Sequence, residues 1–259
     1  MNSTPLLACE AVTVRFGGVV ALDGVNFNAK KGAVTSIIGP NGAGKTTLLN
    51  AITGMVQANE GHIGFAGNEI TDLPTYKRGQ AGVVRTFQNL EVFSNMSVIE
   101  NVMTGCHRHV KYSVLDCLLK TPRYHREERR CTELAMNKLE FVELAELAQA
   151  PSGDLAFGQQ RAMELARALA SEPELLLLDE PAAGLNMKET KALGKLIGRI
   201  RSELGVTVVL VEHDMDLVMG ISDEIMVLNY GKDLAVGSPQ QVQKNPEVIR
   251  AYLGEDDET

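Results

Sequence analysis

Residues 39–47 read GPNGAGKTT, set between the apolar run AVTSIIG at 33–39 and the helical pattern KTTLLNAITGM. A strand that enters a glycine-rich loop and leaves as a helix has few ways to fold. The glycines accept backbone conformations closed to other residues, so successive N–H groups can wrap one anion without Cβ clashes. Gly39, Gly44, Lys45 and Thr46 hold the four fixed positions of GxxxxGK[ST], and Pro40, Asn41, Gly42, Ala43 and Thr47 complete the loop. The ligand such a loop implies is a nucleoside triphosphate. Lys45 supplies a point charge for its outer phosphates, and the Thr46 hydroxyl suits Mg²⁺.

Two later runs repeat the strand-then-polar pattern. LLLLDEP is an apolar strand that ends in Asp179 and Glu180. In a parallel sheet, ligands bind beyond the carboxyl ends of the strands. Asp179 is therefore expected to hold Mg²⁺ through water, and Glu180, on the alternate side, to polarise an attacking water. Paired acids in isolation more often cap helices, so the phosphate loop upstream gives these two their weight. VTVVLVEHDM places His213 beyond another strand, in reach of a γ-phosphate. LAFGQQRAMELARAL at 155–169 opens a helix with a glycine and two glutamines, a second end prepared for an anion.

The 259 residues suffice for a large domain, or a domain with a small companion. Net charge is −8, aromatics are sparse and tryptophan is absent, which argues against nucleic acid as the partner. The four cysteines show no CxxC spacing, so neither a zinc ribbon nor a redox dithiol is expected. No secretory leader and no apolar run of membrane-spanning length is evident, so the chain is expected to be soluble, held at any membrane by something else.

The segment order points to an α/β fold. β-rich runs at the start suggest an antiparallel subdomain. From Ser97 to Gln149 strand signals vanish, and after Pro151-Ser152-Gly153 helices and apolar strands alternate. The expected division is a core of 1–96 and 154–237 with mixed and antiparallel sheets, a helical subdomain at 97–153, and a terminal helix with an acidic tail at 238–259.

These pieces, in this order, resemble the ATP-binding subunits of ABC transporters over nearly the whole chain. By that resemblance residues 39–47 are the Walker A loop and 175–180 Walker B with its catalytic glutamate. Phe16 in RFGG is the ring that stacks on adenine. Gln88 in RTFQNL is the Q-loop residue that meets Mg²⁺ and the attacking water. LAFGQ is the signature motif, AGLN at 183–186 the D-loop, and His213 the switch histidine. The family's cofactors are ATP and Mg²⁺. Its cassettes pair head to tail, so Ala156, Phe157, Gly158 and Gln159 would hold the ATP bound to a partner's loop, which accounts for the second anion-ready helix. Two positions depart from the pattern: Ala156 stands where serine is usual, and Asn186 where aspartate is usual.

VVRTFQNLEVF, LLKTP, AFGQQR, DEPAAGLN, EHDMDLVMGISD and VIRAYLGE further resemble the LivG-type branch that energises branched-chain amino-acid importers. That branch implies a second ATPase subunit, two integral-membrane permeases, an external solute-binding protein met indirectly, and a peripheral place on the cytoplasmic face of the inner membrane. The alternatives are a cassette for amides, urea or lipopolysaccharide, or a soluble assembly scaffold. Residues 105–131 carry seven Lys/Arg against three Asp/Glu. They read as a solvated basic face in preference to a metal site of Cys106, His107, His109 and His125, or to a contact with acidic lipid heads.

Overall fold

The computed structural model describes residues 5–86, 88 and 90–253. The acidic tail at 254–259, and Phe87 and Asn89 of the RTFQNL run, lie outside the described residues, as does the His109 side chain. In chain order the elements are β1 (Leu7–Phe16), β2 (Val19–Ala29), β3 (Val34–Ile38), α1 (Lys45–Thr53), β4 (Glu60–Phe65), β5 (Asn68–Glu69), α2 (Thr75–Ala81) and β6 (Val83–Arg85). Then come α3 (Val98–Met103), α4 (Val114–Leu118), α5 (Pro122–Phe141), α6 (Phe157–Ala170), β7 (Leu175–Asp179), α7 (Met187–Leu204) and β8 (Thr207–Val211). Last are α8 (Met215–Ile221), β9 (Glu224–Asn229), β10 (Lys232–Gly237), α9 (Pro239–Gln243) and α10 (Pro246–Leu253). None of these helices is long and apolar enough to cross a membrane.

The chain divides into two compact units, residues 1–85 with 174–259, and residues 86–173. The first holds two sheets. One is antiparallel, in the order β2-β1-β4-β5. The other runs β10-β9-β3-β8-β7-β6 and is parallel except at β10, which pairs antiparallel with β9. Every residue of β3, β7 and β8 is buried. That is why these strands read as unbroken apolar runs: both faces of a parallel sheet are covered. Ile37, Leu177, Val209 and Leu228 join Val12, Leu22, Ile63 and Phe65 of the antiparallel sheet in one core, into which α1 buries Leu48, Leu49 and Ile52. Ile38, Ile225 and Val227 face the other way, onto Val218, Val242 and Val248.

Two elements of this unit escape the periodicity. β10 is an edge strand with no fully buried residue, so it lacks an apolar stripe. The helix α2 carries a mid-helix glycine and buries only Arg78. That guanidinium donates to the Ala51, Ile52, Leu73 and Thr71 carbonyls at 2.6–2.8 Å. It satisfies the orphan C=O groups at the end of α1, which a helix C-terminus otherwise leaves to water.

In the second unit α3, α5 and α6 pack on one another. Val98, Val102, Ala135, Leu139, Met163 and Leu169 are fully buried there. This unit extends past 97–153 at both ends and takes in α6, because that helix buries its apolar face against α3 and α5.

Arg78→Met would keep the side-chain volume and strand the Ile52, Thr71 and Leu73 carbonyls, while Ala51 keeps the Gly54 N–H. We expect it to lower the unfolding free energy by about 3 kcal/mol, at roughly 1 kcal/mol or more for each buried group left unpaired. Thermal melting against the wild type checks this, and an unchanged midpoint would assign the bonds no net weight.

Candidate nucleotide site

The loop of residues 39–44 closes because Gly39 and Gly44 have no side chains. A Cβ on Gly39 would overlap the Leu228 carbonyl oxygen of β9, and one on Gly44 (φ 103°) would come within 2.8 Å of the Ala21 carbonyl. The loop is thus seated on the edge of both sheets. The Gly231 N–H donates to the Ala43 carbonyl at 2.9 Å, and the Asp23 N–H to the Gly231 carbonyl at 2.8 Å. Tyr230, at a positive φ of 45°, turns the chain so that Gly231 reaches the loop.

Helix α1 begins at Lys45 with no side-chain cap and no acid in its first turn. Its leading N–H groups and dipole therefore point at open space, the arrangement that binds phosphate. The Lys45 ammonium is buried and donates to the Gly39 and Pro40 carbonyls at 2.6 and 2.9 Å. Pro40, Ala43 and Lys45 are buried, while Asn41, Gly42 and Thr46 are exposed and Thr47 is half-buried. A cleft of about 530 Å³ opens here, walled by Val20, Asn41, Lys45, Thr46, Glu180 and Tyr230 among others. Phe16 stands 51% exposed at the tip of the β1–β2 hairpin and does not line the cleft; Val19 and Val20 of the same hairpin do.

Asp179 and Glu180 part company as the alternation of a strand requires. Asp179 is buried at the end of β7, and its Oδ2 is 2.7 Å from Arg85 Nη2, both side chains at most 5% exposed. Arg85 Nη1 also donates to Asn50 Oδ1 of α1 at 2.6 Å. Glu180 turns out into the cleft, with its backbone at a φ of 47° and its N–H on the Val211 carbonyl at 2.8 Å. A left-handed non-glycine residue costs of order 1 kcal/mol or more, and such strain gathers at working sites.

His213 is exposed and outside the cleft walls, but its backbone is fixed by the residue before it. The buried Glu212 carboxylate accepts from the N–H of Ala182 at 2.7 Å, of His213 at 3.1 Å and of Asp214 at 3.5 Å. It ties the segment after Glu180 to the segment of His213. Burial raises the Glu212 carboxyl above its ordinary value, and the three backbone donors pull it partly back.

Gln88 and the signature residues lie in the second unit. Ala156 precedes α6 and offers no side-chain cap; the Gln159 side chain accepts from the Ala156 N–H at 3.0 Å instead. The N–H groups that follow stay uncapped by any hydroxyl. Phe157 is exposed, and Gly158 and Gln159 are half-buried. The buried Arg161 pairs with Glu164 at 2.7 Å and donates to the Gln88 carbonyl at 3.3 Å. Asn186, in the first unit, caps α7 by accepting from the N–H groups of Lys188 and Glu189.

Thr46 lines the cleft and Asp179, which holds Arg85, does not; both offer hard oxygens, which fit Mg²⁺ rather than a softer metal. Around 105–131 the pieces of a metal site stand apart. Cys106 is buried with its thiol on the Cys131 carbonyl, and His107 takes the Thr104 carbonyl at 2.9 Å. Among the described residues no group of three or more His, Cys, Asp or Glu is placed to hold a metal ion.

Residues 22–183 match the family model described as ABC transporter. The chain belongs to the ABC transporter family. Residues 234–258 match a second model, the branched-chain amino acid ATP-binding cassette transporter. The chain is 51% identical over 253 residues to the high-affinity branched-chain amino acid transport ATP-binding protein BraF of Pseudomonas aeruginosa, covering 98% of this chain and 99% of that protein. It is 46% identical to the LivG protein of the same description from Salmonella typhimurium, at the same coverage. The crystal structure of an ATP-binding cassette of an ABC transporter in its ADP conformation superposes with a TM-score of 0.85 at 34% identity, covering 97% of this chain and all of that one. The nucleotide of this family is ATP, and the family's activity is ATP hydrolysis coupled to transport.

Arg85, Glu212, Val20 and Tyr230 were not anticipated. Arg85 and Asp179 are 94 positions apart, and only the pairing of β6 beside β7 brings them together. Glu212 had a local signal, an acid at the end of a buried apolar strand, as Asp179 is.

Glu212→Gln replaces one acceptor oxygen by a donor that faces N–H groups. We expect a loss of about 1–2 kcal/mol at pH 7. Because the folded state holds the Glu212 proton more tightly than the unfolded chain, its contribution is full below the unfolded value and lost as pH rises through the folded one. The deficit of the variant should therefore grow as pH falls from 7 toward 5. Paired melts across that range check this, and a constant deficit would show that burial does not move the carboxyl.

Proposed function

We propose that this chain is the ATP-hydrolysing subunit of a membrane importer for branched-chain amino acids. The observation that carries it is an uncapped helix start, a buried lysine and a strand-end glutamate facing one cleft. The kinship of both the cassette and its C-terminal segment supports the cargo.

In this reading the ATP phosphates lie on the N–H groups of residues 41–47. Lys45 exchanges its two carbonyl partners for β- and γ-phosphate oxygens, a stronger, charge-assisted pairing. Phe16, exposed beside the cleft, receives the adenine. Thr46, Asp179 and Gln88 would hold Mg²⁺, which when bound would supply positive charge to the phosphates. For Asp179 to serve, its carboxylate must share or leave Arg85. Glu180 takes the proton of the attacking water, and Gln88 and His213 orient that water and the γ-phosphate.

The second anion-ready helix is explained by a partner cassette. Residues 156–159 cover the γ-phosphate on the partner's loop through backbone N–H groups, so the serine hydroxyl missing at Ala156 removes one donor from several. ATP closes this dimer, closure moves two permease subunits, and hydrolysis resets it. The chain then works at the cytoplasmic face of the inner membrane and never touches the cargo, which an external binding protein delivers.

Glu180→Gln should bind ATP as the wild type does and hydrolyse it at least ~100-fold more slowly, the usual contribution of a general base. Nucleotide binding and phosphate release measured on the same preparation check both halves. Hydrolysis at the wild-type rate would remove Glu180 from the mechanism.

A further inference from the structure

Helix α4 is an apolar turn that the second unit leaves uncovered. Val114, Leu115, Leu118 and Leu119 are each between 68% and 79% exposed. Their spacing places them on one side of a single helical turn. Exposed aliphatic side chains scattered singly are ordinary, but four adjacent ones mark a surface that meets something.

The turn is built to stay formed without burying them. Ser113 Oγ accepts from the Asp116 N–H, and Asp116 Oδ2 accepts from the Ser113 N–H at 2.9 Å, a reciprocal capping box. Asp116 Oδ1 accepts from the Thr121 hydroxyl at 2.9 Å. These bonds hold its carboxyl below the usual value.

The placement of charge says what the surface meets. The acids of 105–131 are engaged within the segment: Asp116 in those caps, Glu128 accepting the Tyr112 hydroxyl at 2.7 Å, Glu127 half-buried beside Arg130. The cations Lys111, Lys120, Arg123, Arg126, Arg129 and Arg130 are all exposed. An apolar tip with a cationic flank, in a chain of net charge −8, is complementary to a layer that is anionic outside and apolar just beneath. A second copy would bring the same cations face to face.

We propose that α4 with Leu119 is a membrane-binding finger: the four aliphatic side chains enter the headgroup–acyl boundary of a bilayer, and Lys111, Lys120 and Arg123 hold anionic lipid headgroups. Amphipathic segments seat at about that depth, and each basic residue near an anionic leaflet adds about a fivefold gain in binding. This contact belongs to the chain itself and adds to any hold that permeases provide.

Co-sedimentation of the purified full chain with lipid vesicles tests it. The wild type should pellet with vesicles containing phosphatidylglycerol and remain in solution with phosphatidylcholine alone. Leu115→Ser with Leu119→Ser should lower the partition coefficient at least ~10-fold, from the loss of apolar burial. Lys120→Gln with Arg123→Gln should lower it roughly 30-fold, at the gain per charge just given. All four positions are exposed, so folding and ATP affinity should be unchanged in both variants. Failure of the wild type to bind anionic vesicles would overturn the proposal. So would leucine variants that pellet like the wild type, because binding would then be adsorption by charge alone. Leucine variants that keep vesicle binding but lose co-purifying permeases would make the patch a protein contact. A chain that binds vesicles but not ATP would instead defeat the nucleotide reading and leave this one standing.

Discussion

The start of α1 concentrates positive potential at one point of an open cleft, and much of the first unit serves to hold that point still. Uncapped N–H groups and the Lys45 ammonium converge there without any acid in the first turn. The Lys45 side chain folds back onto the Gly39 and Pro40 carbonyls, which are neutral acceptors. The loop beneath cannot drift, since Gly39 lies against the Leu228 carbonyl and Gly231 bonds Ala43. At the far end of α1, Arg78 collects the orphan carbonyls. Both ends of one nine-residue helix are thus fixed by residues distant in sequence, and preorganised donors cost no reorganisation when charge arrives.

The buried acids follow the same economy of charge. Asp179 would be costly alone in the core, and Arg85 neutralises it. Arg85 also reaches Asn50, so the strand end, the edge strand β6 and α1 share one polar knot. Glu212 is anchored differently, mainly by backbone donors with the His213 ring 3.9 Å away, and it fixes the chain on both sides of the sheet's carboxyl edge at Ala182 and His213.

How much of this was legible depends on how far each feature reaches along the chain. The loop, its flanking strand and helix, and the Asp179–Glu180 and His213 strand ends are local, so GPNGAGKTT, LLLLDEP and VLVEHD display them directly. The alternation of apolar strands with helices displays the parallel sheet for the same reason. Arg85 to Asp179 spans 94 positions and leaves no periodic trace. The hairpin wall of Val19 and Val20 and the Tyr230 turn depend on the antiparallel sheet and on β10, an edge strand without an apolar stripe. The extent of the helical unit was hidden because α6 reads as one more helix of the alternation, although its buried face belongs to α3 and α5.

The second unit joins two features that the chain separates by about seventy residues. Arg161, on the third residue after Gly158, is buried, paired with Glu164 and bonded to the Gln88 carbonyl. The stretch after Gln88 is pinned as well: Asn101 exchanges bonds with both backbone groups of Phe93, and the Ser152 hydroxyl donates to Phe93 and Met96. Gln88 and the start of α6 are therefore bonded to the same buried arginine within one compact unit. The buried Arg161 is thus the link between the segment of Gln88 and the start of α6.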